Sequence, residues 1–240
     1  MKVRIKFAKT KAAKYIGHLD TMRFFQKAVR RAGIDVVYSR GFNPHQVMSF
    51  AAPLGLGLSG HGEYFDLEIN EPEADRDTVA AELAKRLNKE MCGGFLIVAA
   101  KPLAEGAKNA MASVAAAAYT VKISEEAGLP IDWMSQFEKF MNRQEMIYHK
   151  VTKKGEREID LRPLIYKTGY STDNSGNTSL SLLLDASSAN SIKPQFVIEA
   201  FFDYIGQQLP EYALSISRED IYANTGTAEK PNFVTLLDYI

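Results

Sequence analysis

Two hydrophobic periods alternate along this chain, and their order restricts its fold more than any other feature. Val3, Ile5 and Phe7 alternate with Arg4 and Lys6, the period-2 pattern of a half-buried strand with one basic face. Residues His18 to Ala32 switch to helical spacing. Met22, Phe25, Val29 and Ala32 fall on one face, and Arg23, Lys27, Arg30 and Arg31 on the other. Asp20 sits in the first turn, where the helix dipole favours an anion, and Gly33 is a natural stop. A strand is expected at Asp35–Tyr38, then turn chemistry from Ser39 to His45 and a resumed strand at Val47–Pro53. After the glycines at 55, 57 and 60 come a strand at Tyr64–Ile69 and a helix at Asp77–Asn88, with Val79, Leu83 and Leu87 inward. Gly93-Gly94 interrupts the chain before a strand at Phe95–Ala100. Strand, helix, strand, strand, helix, strand is the ferredoxin-like βαββαβ order.

The order recurs in the second half. Strand Tyr119–Ile123 precedes a helix opened by Pro130 at its first position and running to Asn142, with Trp133, Phe137 and Phe140 inward. Strand Met146–Val151, a turn at Lys153–Glu156 and a paired strand at Glu158–Tyr166 form an inserted hairpin. A turn at Asp173–Asn177, strand Leu180–Leu184, a helix from Pro194 to Gly206 and strand Ala213–Ile216 complete the set. The expected class is α+β, with two tandem ferredoxin-like modules at 1–104 and 119–224. An alanine-rich linker at 105–118 joins them, and 225–240 is a tail. Leu236, Leu237, Tyr239 and Ile240 make that tail too apolar to stay loose, so it docks on the body or on a partner.

Composition matters here mainly for what it excludes. Of 240 residues, 46% are hydrophobic and 24% charged, which rules out disordered, collagen-like and disulfide-scaffold chains. The lone Cys92 cannot make an internal disulfide, a four-thiolate zinc site or an iron–sulfur cluster. No apolar run approaches the roughly 18–20 residues of a membrane helix, and the N-terminus reads as a strand and not as a signal peptide. A soluble cytoplasmic chain without a membrane partner is expected.

Lysine plus arginine and aspartate plus glutamate balance at 29 each, yet the charge is unevenly placed. Residues 1–60 carry eleven Lys or Arg against two acids, a balance of +9. The strand face, the lysine loop and the helix could form one patch for RNA. Lys9, Lys11, Lys14, Arg23, Lys27, Arg30, Arg31 and Arg40 would contact backbone phosphates, with Tyr15, Tyr38 and Phe42 stacking on bases. The competing readings are solvated faces matched by the acids of 61–90, and a docking surface for an acidic protein.

Residues with chemical potential are sparse. His18, His45, His61 and His149 have no spacing diagnostic of a metal, and no metal or cofactor is expected. His18 beside basic residues would suit ribonuclease acid–base work, or it packs at the helix start. Gly41-Phe42-Asn43-Pro44-His45 is turn chemistry of defined shape that either pins two strands or presents Phe42 and His45, with Arg40 beside it. Gly55–Gly60 lacks the Lys-Ser/Thr of a phosphate loop. Glu63 and Asp66, three apart on a strand, point to opposite faces. Asp160 and Arg162 share a strand face, which suggests an ion pair between modules. Cys92, with no base at a fixed spacing, reads as structural.

Several strings are familiar together. Gly17-His18-Leu19-Asp20 with Met22-Arg23, Arg30 to Gly33, Tyr38 to His45 and Ser49-Phe50-Ala51 resemble the radical-SAM-linked family of unknown function. So do Glu63-Tyr64-Phe65-Asp66 and Arg157 to Pro163, which include Asp160, Arg162 and Pro163. Gly17 and Gln46 depart from the family pattern, where Ser and Pro are expected. The resemblance implies a non-catalytic accessory to a radical S-adenosylmethionine enzyme; this chain lacks the three-cysteine cluster motif. Resemblance and charge together give the expectation of an RNA-binding partner of such an enzyme. The alternatives are a metal-independent endoribonuclease of the two-module ferredoxin-like type and a pure protein adaptor.

Overall fold

The computed structural model describes residues 1–70, 75–152, 155–172 and 178–240, with no account of the side chains of 151 and 152. The chain has a mixed α+β fold and divides into two compact units, residues 1–115 with 218–240, and residues 116–217.

In the first unit, strand β1 (Lys2–Lys9) leads through a tight helical turn, Lys11–Tyr15, into helix α1 (His18–Arg31). Strands β2 (Met48–Phe50) and β3 (Ser59–Glu68), helix α2 (Arg76–Lys89) and strand β4 (Phe95–Pro102) follow. Three pairings are antiparallel: β1 lies between β3 and β4, and β2 pairs with β3. The alternation of β1 sends Val3, Ile5 and Phe7 to one face, where they meet Phe25 and Val29 of α1 and Leu83 and Leu87 of α2. Phe7, Phe25, Phe50 and Phe65 pack ring on ring, with centroids 4.7 Å apart for Phe7–Phe25 and 5.1 Å for Phe50–Phe65. Such pairs add about 0.5–1.5 kcal/mol each beyond buried area. Asp75 caps α2 through the Thr78 amide.

The strand expected at Asp35–Tyr38 is reduced to two isolated bridges, Val36 to Ile69 and Tyr38 to Gln46. Its alternation is real, but the segment is too short for a ladder, and β2 takes the place on β3. The strand expected at Val47–Pro53 shrinks to three residues, whereas β3 starts at Ser59, within the supposed glycine connection.

The segment 105–118 contains helix α3 (Ala110–Ser113) and the start of β5 (Ala116–Ile123). In the second unit, β5 is followed by α4 (Trp133–Met141), the hairpin β6 (Ile147–Thr152) with β7 (Gly155–Asp160), β8 (Ile165–Thr172), β9 (Thr178–Asp185) and α5 (Pro194–Tyr204). Here β9 lies between β5 and β8, antiparallel to both, while β6 and β7 form a separate two-stranded sheet. Pro194 does open α5, but Pro130 lies before α4, in a turn closed by the Trp133 amide on its carbonyl. The strand expected at Glu158–Tyr166 is broken by a helical turn at Arg162–Leu164, because Pro163 cannot donate to a ladder. Of the expected turns, Lys153 and Lys154 and all of Asp173–Asn177 lie outside the described residues.

Strand β10 (Leu214–Asn224) runs eight residues past the expected end at Ile216, and its residues from Arg218 on belong to the first unit. There β11 (Phe233–Thr235) pairs with it antiparallel. The tail thus belongs to the first unit: Leu236 is fully buried, in a cluster with Ala51, Tyr64, Ala110, Ile221 and Ala223.

Candidate functional site

The basic face of β1 is not a surface. Arg4 is completely buried and makes five hydrogen bonds. Its Nε and one terminal nitrogen grip Asp66 at 2.9 and 3.1 Å, and the guanidinium also donates to the carbonyls of Leu236, Tyr239 and Lys108. Asp66 in turn accepts the Ala110 amide at 2.7 Å. Lys6 ion-pairs with Asp220 at 2.6 Å. Lys9 is 2% exposed, donates to the Ile16 carbonyl at 2.7 Å, and has its pKa lowered chiefly by burial. Arg4 and Lys6 face the cluster around Tyr64 and Leu236, so α3 and the tail cover what the sequence alone shows as a charged strand face. Lys9 leaves the expected RNA set for the same physical reason: its ammonium already spends a donor inside the unit.

A second buried pair lies nearby. Arg218 holds Glu63 through two bonds, at 2.8 and 2.5 Å, and also donates to the Ala52 carbonyl at 3.0 Å. Tyr64 donates to Asp220 at 2.5 Å. Burial, then that bond and the carboxylate charge, push the Tyr64 hydroxyl far above the ordinary tyrosine range. Glu63 and Asp66 indeed serve opposite faces, one with Arg218 and the other with Arg4. Arg218 and Asp220 escape a reading for motifs. Their signal is register: they continue the inward period of Ile216, so charge stands where an apolar residue is due.

The remaining basic residues lie outside. The exposed stripe of α1 carries Arg23, Lys27, Arg30 and Arg31. Arg23 pairs with Asp20 at 3.2 Å, and Arg31 with Glu90 at 2.8 Å. Among the described residues, Lys11, Lys27, Arg30 and Arg40 are exposed and carry no ion pair. The loop 39–45 is anchored to this helix: the Gln46 side-chain amide donates to the Gln26 carbonyl at 3.2 Å. It is closed on itself by Ser39 and His45, whose Oγ and Nδ1 are 2.8 Å apart and whose main chains bond at 2.8 Å. Gly41 turns at φ 119°, a conformation suited to glycine, so the loop is shaped and not merely long. The loop leaves Phe42 fully exposed with Arg40, Asn43 and Pro44. Tyr38 is 48% exposed and Tyr15 66%, the latter with the Lys14 ammonium 5.0 Å from its ring centre. All three residues expected to stack are therefore on the surface of the same unit.

The other candidates are placed as follows. His18 begins α1, half-buried, with its ring edge-on to Phe50 at 5.5 Å. His61 is exposed, and His149 lies 3.6 Å from Glu158. Among the described residues, no three His, Cys, Asp or Glu side chains gather as metal ligands. Cys92 is exposed. Asp160 accepts the amides of Met146 and Arg162, both at 3.0 Å, and the Arg162 guanidinium donates to the Ile165 carbonyl, so this pair shapes the turn around Pro163. The second unit contains a cleft of about 580 Å³ lined by Lys122, Trp133 and Tyr212, among others; the sequence assigns these residues no binding role, and Trp133, expected inward beside Phe137 and Phe140, is only half-buried. Among the described residues, no helix is long and apolar enough to cross a membrane.

A family model described as "Uncharacterized protein conserved in bacteria (DUF2344)" matches residues 2–194. No curated protein matches the sequence. Among solved structures, a chain from the crystal structure of a Cbf5-Nop10-Gar1 complex is similar at a TM-score of 0.51 and 11% identity. The match covers 91% of this chain and 48% of that one, so this chain spans about half the length of its structural neighbour. At that identity the likeness concerns the fold alone.

Proposed function

The chain belongs to the DUF2344 family of uncharacterized proteins conserved in bacteria, and for this member we propose the role of a non-catalytic, RNA-binding accessory protein. The observation that carries the reading is the exposed surface of the first unit. Among the described residues, Lys11, Lys27, Arg30 and Arg40 are exposed without ion pairs, and Tyr15, Tyr38 and Phe42 are exposed in the same unit. Cations that track a phosphate backbone and rings on which bases stack are the two components of single-strand recognition. Support for each unit as a ferredoxin-like module comes from the strand neighbours, β4-β1-β3 with β2 also paired to β3 in the first and β5-β9-β8 in the second. The resemblance of the motif strings adds the partner, a radical S-adenosylmethionine protein in the cytoplasm, for which this protein would hold RNA substrate. His18 fits a packing role better than an acid–base one, because its half-buried ring packs perpendicular to Phe50.

Binding of a single-stranded RNA, followed by anisotropy from 50 to 200 mM salt, tests the reading. Four phosphate contacts give a slope of log K on log salt of about −3, an affinity loss of roughly 50-fold over that range. A flat response, or no binding at 50 mM, overturns it. Co-purification with the radical enzyme but without nucleic acid would replace it with the protein adaptor.

A further inference from the structure

We infer that the cleft of the second unit is a stacking slot for one nucleobase of a single-stranded RNA. This rests on the RNA reading but uses a different unit and different residues. The cleft forms where the end of β5, the start of α4 and the start of β10 come together. Lys122, Ser124, Glu125, Trp133, Tyr212 and Ser215 line it, and all belong to the second unit. Its volume of about 580 Å³ is ample for a nucleoside; ligand sites commonly span about 300–1,000 Å³.

Its chemistry selects the ligand class. Trp133 and Tyr212 both line the cavity, and an aromatic ring is a surface on which any base can stack. Hydroxyls of Ser124 and Ser215 and the Glu125 carboxylate stand ready for the polar edge of a base, and Lys122 for a neighbouring phosphate. These four side chains are exposed, and among the described residues Lys122 and Glu125 have no ion pair. Tyr212 supplies a second, independent observation. It is 96% exposed, and its backbone sits at φ 64°, a left-handed conformation that a bulky residue rarely adopts. A tyrosine kept at a glycine-like position and almost wholly in solvent contributes little to packing. Strain of this kind gathers at ligand sites.

The test uses the full chain and an unlabelled eight-residue oligouridylate, whose bases are little stacked in solution. Trp133 is the sole tryptophan, so intrinsic fluorescence reports the cleft alone. Anisotropy of the same oligomer, labelled, reports total binding. The expected result is saturable Trp133 quenching that Tyr212→Gly abolishes and Tyr212→Phe preserves, with Tyr212→Gly weakening affinity about 5- to 150-fold. Glycine suits φ 64°, so this variant stays folded. Salt-dependent binding with unchanged Trp133 fluorescence, or with full affinity in Tyr212→Gly, overturns the slot and leaves the RNA reading standing. Absence of any binding overturns both.

Discussion

Replacing Arg4 with methionine tests the burial of the β1 basic face. Methionine keeps the apolar stem and deletes a guanidinium that is 0% exposed. Two bonds to Asp66 are lost, leaving a carboxylate only 7% exposed with, among the described residues, the Ala110 amide as its remaining hydrogen-bond donor. The carbonyls of Leu236, Tyr239 and Lys108 lose a donor as well. Removing one partner of a buried ion pair costs about 3–5 kcal/mol, a fifth or more of the roughly 5–15 kcal/mol that holds a typical protein folded. The loss should be read where it falls. Urea denaturation followed by hydrogen exchange should show the first unit opening earlier, with faster exchange at Leu236 and Asp238, whose amides bond to Ile221 and Thr235. Adding Asp66→Asn to Arg4→Met should recover part of the loss, since the stranded charge goes with it. A cost under about 1 kcal/mol with unchanged exchange in the tail would refute the argument. So would a double variant less stable than the single one.

Other expectations follow from the same contacts. Gly94 sits at φ 102°, and a Cβ there would lie 2.0 Å from the Thr10 carbonyl oxygen, so Gly94→Ala should lower the denaturation midpoint by the equivalent of about 1–3 kcal/mol or more; a neutral result would mean the approach is not needed. Burial, then the hydrogen bond to Asp185, raises the Tyr166 hydroxyl to about 12. The folded state therefore keeps a proton that the unfolded chain releases near pH 10, and this residue's contribution to stability falls as pH rises from about 10 to 12. Tyr166→Phe should flatten that fall, and an unchanged pH profile would contradict it. For Lys9 the shift is downward and the sign reverses: between its lowered pKa and about 10.4 the unfolded chain binds the extra proton, so stability rises with pH there, and Lys9→Met should remove the rise.

Much of the architecture is legible in the sequence because it is local. Val3, Ile5 and Phe7 announce a strand, and the spacing of Phe25 and Val29 announces α1, since both patterns arise from backbone geometry within a few residues. The stacking candidates Tyr15, Tyr38 and Phe42 are legible too: aromatic residues beside lysines, or within turn chemistry, have little core to join. What covers the second face of β1 is not legible. Arg4 meets Asp66 and the tail, 62 and 232–235 residues away, and nothing near Arg4 says that its charge will be neutralised inside. Period 2 separates two faces without saying which is wet. Strand lengths fail for a related reason. β10 continues past Ile216 through Arg218 and Asp220, charges that look like a strand end until their partners Glu63, Lys6 and Tyr64 are in place. Tyr212 and Trp133 lie 79 residues apart, and only the fold makes them line one cleft.

The central claim, that the exposed cations of the first unit carry RNA, is tested most directly by the salt slope of a double charge reversal. Lys27→Glu with Arg30→Glu alters two exposed cations that have no ion pair among the described residues, so the fold should be untouched. The account predicts that the slope for single-stranded RNA shrinks from about −3 to about −1.5 while the unfolding midpoint stays in place. An unchanged slope and affinity in this variant would contradict it.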